Sequence, residues 1–269
     1  MTNLPASEES FLRDIPESTK SLSEAIDGQA NSTLSSFAAL SLGMSLLGRF
    51  HSHIHRPHLY GDERDLSGDF WKRYRLHDNT LLNISSSLSG YFRLPAGVGD
   101  PNVIFYNLIM HACTVVLHRT ATRMAEKHRL PREMAAESKR RCIVAAEETC
   151  SILRMMSRAD VARVSMSKNC PGRTCHTNWA FCLLQLHPFV TFPIVVSARI
   201  ISKQLRVHPD DVSARSSLTL LSNMFRDWDS IPIYEHIVSQ MRPDLDGVIT
   251  LECPLALNVG VPPSLPGFV

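Results

Sequence analysis

Several things are missing from this chain, and each absence removes a class of protein. The most apolar region, Phe189 to Ile201, is interrupted by Pro193 and Arg199 and falls short of the ~20 residues a membrane helix needs. Residues 1–30 lack the basic start and apolar run of a secretory signal, so neither export nor membrane residence is expected. No alternating run of β-branched residues is long enough for a sheet, and no internal repeat is evident. An excess of charge is also lacking: the net charge is +2 and the pI about 8.2, whereas dedicated nucleic-acid binders often exceed pI ~9. Cysteines number seven, an odd count with irregular spacing and none before Cys113, which fits reduced intracellular thiols better than a disulfide framework.

Catalytic motifs are missing as well. Gly43-Met44-Ser45 is not followed by the Gly of a nucleophile elbow, and its surroundings have a helical period where that motif needs a strand. There is no G-x-x-x-x-G-K-[ST] phosphate loop and no H-E-x-x-H zinc helix. Asp227 and Asp229 flank Trp228, but positions i and i+2 of a helix face different sides and make no acid/base pair. The chain is therefore not read as an enzyme. An enzyme of an unrecognised helical class would need a deep pocket with converging titratable groups.

The chain does contain helix signals, almost everywhere between its ends. With 44% hydrophobic residues over 269 positions there is ample material for a core. Residues 1–33 are the exception, acidic and largely disordered by composition: residues 1–30 hold six acidic side chains against Arg13 and Lys20, leaving +6 for the rest. A first helix begins near Thr33 with Phe37, Leu40, Met44 and Leu47 on one side, followed by a polar loop from Arg56 to Ser67. Phe70, Trp71, Tyr74, Leu81 and Leu82 continue the apolar pattern as core or groove lining. Asp100 then caps a helix whose first residue is Pro101, with Ile104, Leu108, Ala112 and Val115 on one face; Gly97 and Gly99 supply the preceding turn.

Further helices follow the break at Pro131. Glu133 to Met156 carries the seam Ile143, Ala146, Cys150 and Leu153. Pro193 opens a helix with Ile194, Ala198, Ile201 and Leu205 on one side, and His208-Pro209-Asp210-Asp211 ends it and caps a helix with Leu218, Leu221, Phe225 and Trp228. A short helix from Ser230 to about Met241 closes the folded part. The stretch from Pro254 has four prolines and no charged side chain and cannot continue a helix. The expected fold is all-α, an array of antiparallel amphipathic helices with a disordered N-terminal tail.

Leu94 to Arg119, LPAGVGDPNVIFYNLIMHACTVVLHR, joins its Gly/Pro turn to a capped amphipathic helix in a recognisable way, and resembles the fungal-specific transcription factor domain. That domain is the helical regulatory region downstream of the zinc binuclear cluster in many fungal transcription factors. The resemblance extends over most of residues 35–250: Leu47-Gly48-Arg49, the segment Phe70 to Asn83, the helix Ala136 to Glu148 and the entry His187 to Ile200 are similar to family features. It implies helical domain boundaries of 34–252 between the 1–33 tail and a Pro-rich tail at 253–269, a nuclear location, and transcriptional coregulators or an inducer ligand as partners. It implies no catalytic residue.

Two departures stand out. The family's DNA-reading module needs six cysteines holding two zinc ions, and the spacing for it is missing here, so zinc belongs to full-length family members and direct DNA binding to an upstream cluster. The chain then reads as a truncated form of a longer regulator, a shortened paralogue or a regulatory fragment. The second departure is an atypical insertion at residues 165–186, which contains the metal candidates Cys170, Cys175, His176 and Cys182. Their C-x4-C-H-x5-C spacing lacks the close pairs of common structural zinc sites and favours incidental thiols.

Other clusters receive the same weighing. His51, His53, His55 and His58 read as a polar helix end rather than a metal site, although His51 and His55 would share a face. Lys139-Arg140-Arg141 reads as a solvated face before an import signal or phosphate contact, and Lys72, Arg73 and Arg75 as the charged exterior around Trp71 and Tyr74. Met155, Met156 and Met166 read as core filling before a partner groove. No sustained heptad pattern predicts strong self-association. The functional expectation is a transcription regulator's regulatory and interaction domain; the alternative is a cytosolic helical module that binds a small molecule or protein.

Overall fold

The computed structural model describes residues 2–28, 33–55, 63–166, 188–229 and 239, with the side chains of 157–166, 188 and 227–229 outside that description. Among the described residues every regular element is a helix, and the only β pairing is an isolated bridge between Asn3 and Ser21. Eight α-helices run in order among the described residues: α1 (Glu8–Leu12), α2 (Leu22–Ile26), α3 (Ser36–His55), α4 (Asp69–Ser87), α5 (Pro101–Lys127), α6 (Arg132–Met166), α7 (Thr191–Val207) and α8 (Val212–Asp229).

The centre of the array is α5. Sixteen of its 27 residues are buried, more than one apolar stripe provides, so it must be covered on several sides. It packs against α3, α4, α6 and α7, while α6 and α7 also hold α8. Asp100 caps α5 by accepting from the Asn102 N–H at 2.8 Å, with Pro101 at the first helical position. The turn before it is set by close approach: a Cβ on Gly97 would lie 2.4 Å from the Tyr91 carbonyl oxygen and 2.6 Å from Val103 Cγ1, whereas Gly99 has open space. Only the first of the two expected turn glycines is demanded by its surroundings.

The seam of α6 buries Ala146, Cys150 and Leu153 fully, with Ile143 partly covered. Helix α7 buries Ile194, Ala198, Ile201 and Leu205, and α8 buries Leu218, Leu221 and Phe225. The Asp211 carboxylate accepts from the Ala214 N–H at 3.0 Å and starts α8. Two boundaries differ from expectation. Helix α6 runs on to Met166, and α7 begins at Thr191 after a 3-10 turn at Pro188–Val190, with Pro193 in its first turn. A proline is accepted anywhere in that first turn because its N–H has no partner to lose.

Two further readings need correction. The buried side of α3 includes Ala39, Leu40, Leu42, Gly43, Leu46 and Phe50; of the expected Phe37, Leu40, Met44 and Leu47, Leu40 alone is buried, whereas Phe37 is 52% exposed and Met44 and Leu47 are only partly covered. The helix is apolar around most of its girth, so spacing alone did not choose the inward face. Small residues did. Gly43 lets the Tyr106 ring of α5 approach, with Cδ2 3.3 Å from where a Cβ would stand.

The acidic head, expected to be disordered, is folded over residues 2–28. Leu4 and Lys20 pair through the backbone at 2.8 Å, Ser21 and Glu24 form a capping box on α2, and Leu4, Ala25 and Ile26 are buried in the main core. Three anchors are too few to give a periodic pattern in the sequence. The short helix expected from Ser230 to Met241 and the Pro-rich stretch from Pro254 lie outside the described residues, apart from Ser239.

Candidate functional site

Successive turns of α5 present polar groups to two different neighbours. Towards α4 and α6 lies a hollow of about 580 Å³ walled by Leu81, Leu82, Phe92, His111, Thr114 and Val144 among others. At one end of it, His118 is 1% exposed and its Nδ1 sits 2.9 Å from the Tyr74 hydroxyl. Its Nε2 is 3.4 Å from an Asp78 carboxylate oxygen. A proton on Nε2 donates to Asp78 and leaves Nδ1 to accept from Tyr74, with the Arg141 guanidinium 3.3 Å from Nε2 on the same side. The Arg141 guanidinium donates to both Asp78 oxygens at 2.8 Å through one nitrogen and to Glu137 at 3.1 Å through Nε.

These contacts set the charge states. Burial alone would raise the Asp78 carboxyl, but the hydrogen bonds from His118 and Arg141 and the Arg141 charge outweigh it and hold its pKa below the usual range. Burial raises the Tyr74 phenol and keeps it neutral. His111, also on this wall, is pushed down to about 4 by burial. The enzyme reading asked for titratable groups converging on a pocket. Here Asp78, His118, Tyr74 and Arg141 face one another, while His111 and the Tyr106 hydroxyl, which has no hydrogen-bond partner among the described residues, line the same hollow outside that network.

Towards α3 and α7 the surface differs. A second hollow of about 580 Å³ lies between the three helices, floored by Met44, Leu47, Ile54, Val116 and Phe192. Its polar rim is basic: Arg119, Arg123 and Arg199, with His51 and His55. A third hollow, about 460 Å³, adjoins it where α5, α6 and α7 meet; Arg119 and Arg123 line both, and Lys139 and Lys203 add to the third. Glu126 is the one acidic side chain on either rim. Arg119 and Arg123 stand one turn apart on α5, are exposed, and form no ion pair among the described residues.

The clusters singled out from sequence separate in space. His51 and His55 meet with ring centroids 4.2 Å apart and the rings tilted by 45°, as sharing a face allows, whereas His53 is buried against Phe70 at 5.0 Å and His77 at 5.1 Å. His58 lies outside the described residues. Lys139 and Arg140 are exposed and Arg141 partly so, with different neighbours: Lys139 enters the basic rim, Arg140 pairs with Glu137 at 2.8 Å, and Arg141 reaches Asp78. Arg73 Nε reaches His53 Nδ1 at 3.4 Å and Arg75 holds the Leu66 carbonyl at 2.9 Å, which anchors the loop before α4. Met156 is core, and the Met166 side chain lies outside the description.

Cys170, Cys175, His176 and Cys182 all lie outside the described residues. Among the described residues no group of three or more His, Cys, Asp or Glu side chains is placed to hold a metal ion. Cys113, Cys142 and Cys150 are buried free thiols whose pKa values burial pushes up, to about 12 for Cys142 and about 11 for Cys150. No described helix is long and apolar enough to cross a membrane. Sequence reasoning missed Asp78, His118, Arg119 and Arg123; the four-residue step from Arg119 to Arg123 was the one available signal.

The described helices thus carry a polar network on one side of α5 and a basic, apolar-floored groove on the other. The chain is similar to the pigment biosynthesis transcriptional activator pigB of Monascus ruber, 23% identical over 230 residues. That alignment covers 86% of this chain and 37% of the length of the relative. No protein-family profile matches the chain, and no solved structure matches it.

Proposed function

We propose that this chain is the regulatory and interaction region of a fungal transcription regulator of the zinc binuclear cluster type, acting in the nucleus. The observation that carries the reading is the similarity to a transcriptional activator along 86% of this chain. The helical body spanning 34–252 takes an effector or a coregulator, and reading of DNA belongs to an upstream zinc cluster in proteins that have one. Binding acts by differential affinity for two arrangements of the helices, so a bound partner shifts their populations.

A fusion of the whole chain to a foreign DNA-binding module, assayed on a reporter carrying that module's sites, tests the reading. Reporter output that changes with growth condition is the expected result. A folded, nuclear fusion that stays inert under every condition overturns it.

A further inference from the structure

We infer that the basic groove along α5 and α7 is a docking site for an acidic amphipathic peptide segment of a partner protein. The inference names the partner class for the regulatory region proposed above and rests on that reading for its biological meaning; the binding itself is decidable without it.

Three observations converge. The first is charge: Arg119, Arg123, Lys139 and Lys203 are exposed on the rim of two adjoining hollows, against Glu126 alone. Like charges this close repel one another, and an anionic partner relieves that repulsion as it binds. The second is the floor. Met44, Leu47, Val116 and Phe192 are apolar, and Phe189 beside them is 57% exposed. A phosphate backbone has nothing to bury on such a floor, whereas a peptide with apolar side chains on one face does. The third is length. Phe192 in the hollow against α3 and Val207 in the adjoining hollow against α6 stand fifteen residues apart on α7, about 22 Å at the helical rise, more than a small metabolite spans and comparable with a peptide helix of about four turns.

The groove also explains the misread part of the α3 face. Met44 and Leu47 pack against the core on one side and remain partly exposed on the other, where they floor the hollow. An amphipathic helix in a groove uses anchors at three- and four-residue steps, and acidic residues between those anchors would meet the arginine rim.

The test uses the full chain and a labelled synthetic peptide of about 15 residues with Asp and Glu on one helical face and Leu and Phe on the other, read by fluorescence anisotropy. The controls are the same composition scrambled so that no amphipathic face forms, and a short duplex DNA. The proposal expects saturable binding, at least about tenfold tighter than the scrambled peptide. It expects a loss of about tenfold or more in the Arg119→Glu, Arg123→Glu double variant, with unchanged thermal unfolding. Because charge reversal could disturb folding, Arg119→Ser with Arg123→Ser is run alongside and should lose affinity in the same direction. Phe189→Ser should weaken the peptide and leave any residual DNA binding unaltered. Equal binding of the scrambled peptide, DNA bound more tightly than the peptide, or full affinity in both arginine variants would each overturn it. A reporter fusion that stays inert while the peptide binds at the arginines counts against the regulatory reading and leaves the groove standing.

Discussion

His118 and Arg119 are neighbours on α5, and they live in opposite electrostatic surroundings. On the α4 side, His118, Asp78, Tyr74, Arg141 and Glu137 form a closed set in which every charge has a partner of the other sign or a neutral donor. On the α3 and α7 side, Arg119 and Arg123 sit over an apolar floor among other basic groups, with no ion pair among the described residues. A closed polar set ties three helices together and gains nothing from a ligand. An open set of like charges is held in place at a small cost and is relieved when something binds. The two sides therefore separate residues that maintain the fold from residues available for recognition.

The largest effect should come from opening the closed side. Asp78→Ala leaves the buried His118 and the partly buried Arg141 without their carboxylate, which should cost about 2–3 kcal/mol. The value falls below that of a fully buried pair because the Arg141 side chain is 34% exposed. Chemical denaturation of the full chain measures it. Asp78→Asn keeps an acceptor and should lose less, so equal losses in the two variants would show that the charge, not the hydrogen bond, holds the helices.

Acid should reach the same side next. His111 lies on the hollow's wall with a pKa of about 4, lowered by burial, against an ordinary 6.5. The unfolded chain therefore binds this proton more readily than the folded one between those values, and stability rises with pH across that window. Falling pH should remove up to about 3 kcal/mol, fully lost only near the folded pKa. Asp78 and Glu137 act lower down: their depressed pKa values supply stability above the ordinary carboxylate range that is lost as pH falls through the folded values. His111→Leu should flatten the slope between pH 6.5 and 4 and leave the acid limb in place. A slope unchanged by that substitution would assign the window to another group.

The sequence announced much of the scaffold and little of this contrast. The Asp100 cap and the seams of α6, α7 and α8 were legible because their apolar residues repeat at three and four positions and one face of each helix is clearly poorer in polar groups. The inward face of α3 was not, since an apolar band nearly all round gives periodicity nothing to select. The polar network was invisible for a different reason. Tyr74 and His118 are 44 positions apart and Asp78 and Arg141 are 63 apart, so no local spacing links them. The anchoring of the head through Leu4 and Ile26 was hidden because single apolar residues in acidic surroundings carry no pattern. The groove lay between these cases: its arginines had a readable four-residue step, but only the packing of α7 across α5 put an apolar floor beneath them.

The smallest effect should come from the open side, and its smallness is what makes the comparison informative. Arg119→Ser with Arg123→Ser removes two exposed guanidiniums that bond to no carboxylate among the described residues, so folding stability should change by no more than about 0.5 kcal/mol. The sign should lean towards stabilisation at low ionic strength, where repulsion among rim charges is least screened, and should vanish at high salt. Thermal unfolding at two salt concentrations measures both features. A destabilisation as large as that of Asp78→Ala would mean that the rim arginines support the fold, and the division between the two sides of α5 would fail. An unchanged melting curve joined to lost peptide binding is the one pairing that a purely structural pair of arginines cannot produce.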